Sequence, residues 1–135
     1  MDLSHLNIWA ILAAAVSAFL VGGLWYSPML FGKAWRKANR FASADEPGPA
    51  SAKLFAISFA LTLVMAVNLA LFLNDAKTTL AWGATAGLLA GLGWVAMGIG
   101  VISQFERRPW TYVAVNGGYM TVMLVLMGAI LGGWR

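Results

Sequence analysis

Residues 78–105 read TTLAWGATAGLLAGLGWVAMGIGVISQF, and no Asp, Glu, Lys, Arg or His interrupts them. An α-helix rises about 1.5 Å per residue and the hydrocarbon core of a bilayer is about 30 Å thick, so roughly 20 such residues cross it. Three further intervals without Asp, Glu, Lys or Arg pass the same test: Leu3–Gly32, Leu54–Asn74 and Pro109–Trp134. The chain therefore reads as an all-α, integral membrane four-helix bundle in one domain over 1–135. The expected spans are 6–27, 52–73, 79–103 and 110–133.

Composition agrees. Of 135 residues 61% are hydrophobic and only 10% charged, against about 25% charged in soluble domains. Mean hydropathy is +0.77. There is no cysteine, which excludes disulfides, thiolate metal sites and a cysteine nucleophile. The net charge of +4 does not point to nucleic acid, because the basic residues flank the apolar spans. A membrane with anionic headgroups is the partner that this placement suits.

Punctuation residues set the ends. Pro28 disfavours helix at Ser27, so the first span should kink or stop there. Pro109 suits the first turn of the last span, Ser51 can cap the second, and Thr78 or Thr79 the third. Residues 29–41 form a candidate interfacial amphipathic helix. Leu30, Phe31, Ala34, Trp35, Ala38 and Phe41 fall on one side of a helical wheel, and Lys33, Arg36, Lys37 and Arg40 on the other.

The side with loops 1–2 and 3–4 holds Lys33, Arg36, Lys37, Arg40, Lys53, Arg107 and Arg108, against Lys77 and Arg135 on the opposite side. That asymmetry predicts both termini outside a bacterial cytoplasmic membrane. Trp9, Trp82 and Trp134 would mark the outer interface, and Trp35 and Trp110 the inner one. Gly22-Gly23-Leu24-Trp25 is echoed by Gly91-Leu92-Gly93-Trp94, which suggests two duplicated halves.

Small residues recur at fourth positions: Ala10, Ala14, Ala18 and Gly22; Ser58, Thr62, Ala66 and Ala70; Gly83, Gly87 and Gly91; Gly128 and Gly132. Such faces permit close helix packing, either within the bundle or across an oligomer interface on Gly128 and Gly132 or on the Gly83 row. Asn68, Asn116 and Tyr119 are the notable intramembrane polar groups. They serve either as interhelical hydrogen-bond glue or as the lining of a polar path. No membrane-embedded charge of the kind that carries protons through pumps is present.

Enzyme chemistry finds no support. His5 stands alone near the outer terminus, and Asp75 and Glu106 belong to opposite faces, too far apart for an acid–base pair. We expect no catalytic residue, no metal site and no cofactor. The expected function is that of a non-catalytic membrane component acting through helix–helix assembly, as a homo-oligomer or an accessory subunit of a larger complex. The alternative is a small-molecule carrier or channel whose path passes Asn68 and Asn116.

The run Trp25-Tyr26-Ser27-Pro28-Met29-Leu30-Phe31-Gly32-Lys33-Ala34-Trp35, with Phe105-Glu106-Arg107-Arg108 and Gly128-Ala129-Ile130-Leu131-Gly132, resembles the bacterial membrane family called domain of unknown function 1761. The resemblance implies a small integral membrane protein with about four spans and brings no assigned activity. In the same run Pro28 should turn the chain and Gly32 should permit close approach. Trp25, Tyr26, Phe31 and Trp35 with Lys33, Arg36, Lys37 and Arg40 form the candidate site for an anionic amphiphile or a partner's acidic loop.

Overall fold

The computed structural model describes residues 3–41 and 46–135. Among them there is no strand, and the helices follow one another as α1 (Ile8–Trp25), α2 (Gly32–Ala38), α3 (Ala52–Phe72), α4 (Leu80–Ala90), a π-helical segment (Gly91–Ala96), α5 (Met97–Phe105) and α6 (Trp110–Gly133). A 3₁₀ turn, Leu3–His5, precedes α1. The segment Leu80–Phe105 is one continuous helix, so four helices are long and apolar enough to cross a membrane.

Ends form where local chemistry requires them. The Asn7 side chain accepts from the Ala10 amide at 3.1 Å, Ser51 from Leu54 at 3.2 Å and Thr79 from Trp82 at 3.1 Å. Each satisfies a donor that a helix start leaves orphaned. Pro109 sits one place before the expected first turn, as the N-cap of α6. The first span is shorter than 6–27. It stops at Trp25, because Pro28 keeps Ser27 from continuing the helix.

The chain then folds into a tight turn. Phe31 donates to the Trp25 carbonyl and Gly32 to that of Ser27, both at 2.9 Å. A Cβ on Gly32 would lie 2.5 Å from the Tyr26 carbonyl oxygen, so only glycine fits. The amphipathic helix expected over 29–41 is helical only over Gly32–Ala38. Met29, Leu30 and Phe31 serve the turn, and the helix ends at Asn39 with Arg40 at φ 55°.

Helix α6 is the axis of the bundle. It packs against every other described α-helix, most extensively against α4. Gly83, Gly87, Gly128 and Gly132 lie where main chain meets main chain: a Cβ on Gly83 would overlap the Gly128 carbonyl, and one on Gly87 the Leu124 carbonyl. On the other flank α1 presents a face of fully buried Ala10, Ala14, Ala15 and Ala18 to Met123, Met127 and Leu131 of α6 and to Ala66, Leu69 and Ala70 of α3.

The π segment keeps the α4–α6 contact in phase. Gly91 meets Thr121 of α6, and the next small residue against α6 is Ala96, whose Cβ is 3.0 Å from a Cβ built on Gly117. The residues touching α6 are thus spaced by four along 83, 87 and 91 and then by five to 96. A single wide turn absorbs that extra residue. It also leaves Trp94 72% exposed halfway along the span, whereas Trp25 closes α1. The two Gly-x-x-Trp echoes therefore occupy unlike places, and a simple duplication does not account for them.

This phase argument makes a test. Deleting Gly93 converts the wide turn to a regular one and should leave the thermal midpoint of the detergent-solubilised protein nearly unchanged. Deleting Leu88 turns one part of the helix by about 100° relative to the other. That deletion should push bulky side chains into α6 and destabilise by roughly 1–3 kcal/mol or more.

Candidate functional site

The candidate site is built where α1, α2 and α6 meet. Trp25 Nε1–H donates to the Val115 carbonyl at 2.8 Å, and its ring lies against Phe31 at 4.6 Å, tilted by 45°. The Tyr26 hydroxyl donates to Asn116 Oδ1 at 2.7 Å. Its ring stands edge-on to Tyr119 at 5.4 Å and to Trp35 at 5.9 Å. Trp35 in turn meets Phe41 at 5.4 Å, and the Tyr119 hydroxyl donates to the Ala18 carbonyl at 2.9 Å. Edge-to-face rings and satisfied polar tips are what buried Trp and Tyr require.

The cationic residues sit beside this cluster. Lys33, Lys37 and Arg40 are exposed, and Arg36 lies over the Phe41 ring at 5.8 Å. Trp35 and Ala38, on the apolar side of the expected interfacial helix, pack on protein: Ala38 is buried and Trp35 meets Tyr26 edge-on. Two residues outside the candidate set complete the basic face. Arg40 donates to the Arg107 carbonyl and Arg108 to the Asn39 carbonyl, each at 3.4 Å, which ties α2 to the loop before α6. Sequence gave a hint only in the Glu106-Arg107-Arg108 run.

Below the cluster a cleft of about 640 Å³ opens between α1, α3 and α6, with Gly22, Gly23, Tyr26, Phe55, Met65 and Tyr119 among its lining. A second cleft, of about 620 Å³, separates α3 from the third span and takes in Asn68, Phe72, Trp82, Leu89 and Trp94. Met65 lines both. The polar path expected between Asn68 and Asn116 is not formed, because Asn116 is engaged by Tyr26 while Asn68 opens on the second cleft.

Of the two readings of Gly83, Gly87, Gly91, Gly128 and Gly132, the structure takes packing within the bundle rather than an oligomer interface. Gly83 faces Gly128 and Gly132, Gly87 faces Leu124 and Gly91 faces Thr121, and all five are buried. At the opposite end Arg135 donates to the carbonyls of Leu73 at 2.8 Å and Asp75 at 2.9 Å, closing the end of α3. No group of three His, Asp or Glu comes together among the described residues.

Across residues 9–132 the chain matches the family described as Protein of unknown function (DUF1761). The chain belongs to this family. The DUF1761 match runs from Trp9 to Gly132, and so covers all four candidate spans, the turn at Pro28 and the basic face. No curated protein and no solved structure matches the chain. A DUF1761 protein with four such helices is a multi-pass membrane protein by architecture, and the Tyr26–Asn116 bond ties the end of its first span to its last.

That bond has a measurable weight. Tyr26→Phe leaves the Asn116 carbonyl without its donor and should destabilise the bundle by about 0.6–2 kcal/mol. Tyr26→Phe combined with Asn116→Leu should recover most of the loss, since both partners are then apolar. Thermal unfolding of the three proteins in one detergent reads the cycle.

Proposed function

We propose that this protein is a non-catalytic component of a bacterial cytoplasmic membrane that acts through helix–helix assembly, foremost as a homo-oligomer, with α3 as the assembling helix. The observation that carries this reading is Asn68. It lies about one turn inside the end of α3, is exposed into an apolar cleft with Phe72, Trp82 and Trp94, and its side chain makes no hydrogen bond among the described residues.

An amide facing hydrocarbon is stabilised by any partner that supplies a donor and an acceptor. A second copy supplies both, because an amide is self-complementary across a two-fold axis. The glycine faces play no part in this contact. Helix α3 suits it because it packs chiefly on α1, touches α6 less and leaves its remaining surface uncovered.

Orientation belongs to the same proposal. Both termini face outward, and Lys33, Arg36, Lys37, Arg40, Lys53, Arg107 and Arg108 face the cytoplasm. Ala50→Cys should then resist an impermeant maleimide in intact cells while Lys77→Cys reacts, and the reverse pattern overturns the orientation.

Native mass spectrometry from mild detergent tests the assembly. The protein should appear as a dimer, and Asn68→Leu should weaken dimerisation about 3- to 30-fold, the range of one interhelical hydrogen bond. A monomer, a dimer indifferent to Asn68→Leu, or a stoichiometric foreign polypeptide in place of the second copy overturns the homo-oligomer.

A further inference from the structure

The cleft between α1, α3 and α6 is independent of Asn68 and lies at the other end of the bundle. It reaches from Phe55 to Met65 along α3, ten residues and so about 15 Å, which is the depth of one leaflet of a core about 30 Å thick. Its volume of about 640 Å³ is within the roughly 300–1,000 Å³ of small-molecule sites.

The lining is suited to a hydrocarbon chain rather than a polar solute. The Tyr26, Tyr119 and Thr62 hydroxyls all donate to protein acceptors, at 2.7, 2.9 and 2.8 Å, which leaves Ser58 as the one lining hydroxyl among the described residues that faces an occupant. Methionines at 65, 120 and 123 provide an adaptable floor. Gly23 keeps the wall open, since a Cβ there would meet nothing within 4 Å.

Exposed cations stand at this end of the bundle. Tyr26 at the top of the cleft is covered by Trp35 of α2, the helix that carries exposed Lys33 and Lys37, and Lys53 is exposed in the first turn of α3 two residues before the lining Phe55. We propose that this cleft holds one acyl chain of an anionic phospholipid from the surrounding leaflet, with the phosphate against Lys33, Lys37 and Lys53. An apolar slot one leaflet deep under a cluster of ammonium groups matches a lipid at both ends.

The test uses the full chain in nanodiscs of equimolar phosphatidylglycerol and phosphatidylcholine, transferred to mild detergent for native mass spectrometry. One phosphatidylglycerol per chain should be retained, in at least about fivefold preference over phosphatidylcholine, the effect of a single headgroup cation. Gly23→Phe, which places a ring in open space, should remove the retained lipid while leaving helicity and elution unchanged. Lys33→Gln with Lys37→Gln and Lys53→Gln should keep a lipid but lose the preference. Equal retention of the two lipids by the wild type, undiminished phosphatidylglycerol in Gly23→Phe, or loss of a polypeptide rather than a lipid in that variant overturns the proposal. None of these readouts depends on Asn68 or on dimerisation.

Discussion

The approach of α6 to the third span, close enough for carbonyl groups to occupy the space of missing Cβ atoms, is the contact on which the bundle depends. Lipid tails are as apolar as leucine, so burying apolar area does not by itself drive helices together. Dispersion between closely fitted surfaces does, and it falls off within an ångström. Gly83, Gly87, Gly128 and Gly132 remove the side chains that would hold the two backbones apart. With that pair set, α6 presents Met123, Met127 and Leu131 to the alanine face of α1, and α3 is added to the flank.

Polar groups are arranged to match. Trp25, Tyr26 and Tyr119 each donate across helices to an acceptor on α6 or α1. Thr62, Thr85 and Thr121 return their hydroxyls to carbonyls one turn back in their own helices. Where a helix end leaves carbonyls open, Arg135 supplies donors to Leu73 and Asp75. No buried side-chain nitrogen or oxygen is left without a partner among the described residues, as a low-dielectric surrounding demands.

Much of this was legible in the residue order. Charge-free intervals located four spans because the length of a membrane helix is fixed by the bilayer, and Ser51, Thr79, Pro28 and Gly32 have local effects that need no knowledge of a partner. Residues 29–31 do not continue the helix expected over 29–41, because the periodicity of Leu30 and Phe31 is equally compatible with a turn that sets Phe31 against Trp25. Small-residue spacing showed that close contacts exist but not whether the partner is another helix of the same chain. The wide turn at Gly91–Ala96 was invisible for the same reason: a gap of five becomes meaningful only when Thr121 and Gly117 are known to stand opposite. The separation of Asn68 from Asn116 depends on which way each helix is rotated, and hydrophobicity on all sides of a membrane helix hides that rotation.

The two clefts beside α3 are the opposite ends of a single crossing. The C-terminal half of α3 lies against α1 through Ala66, Leu69 and Ala70. Its N-terminal half stands off, so that Phe19 bridges to Phe59 at 5.4 Å and Phe55 at 6.5 Å. The gap from α1 opens toward one membrane face and the gap from the third span toward the other, as between scissor blades that share Met65 near their pivot. Among the described residues, Met65 is thus the one side chain that borders the openings in both leaflets.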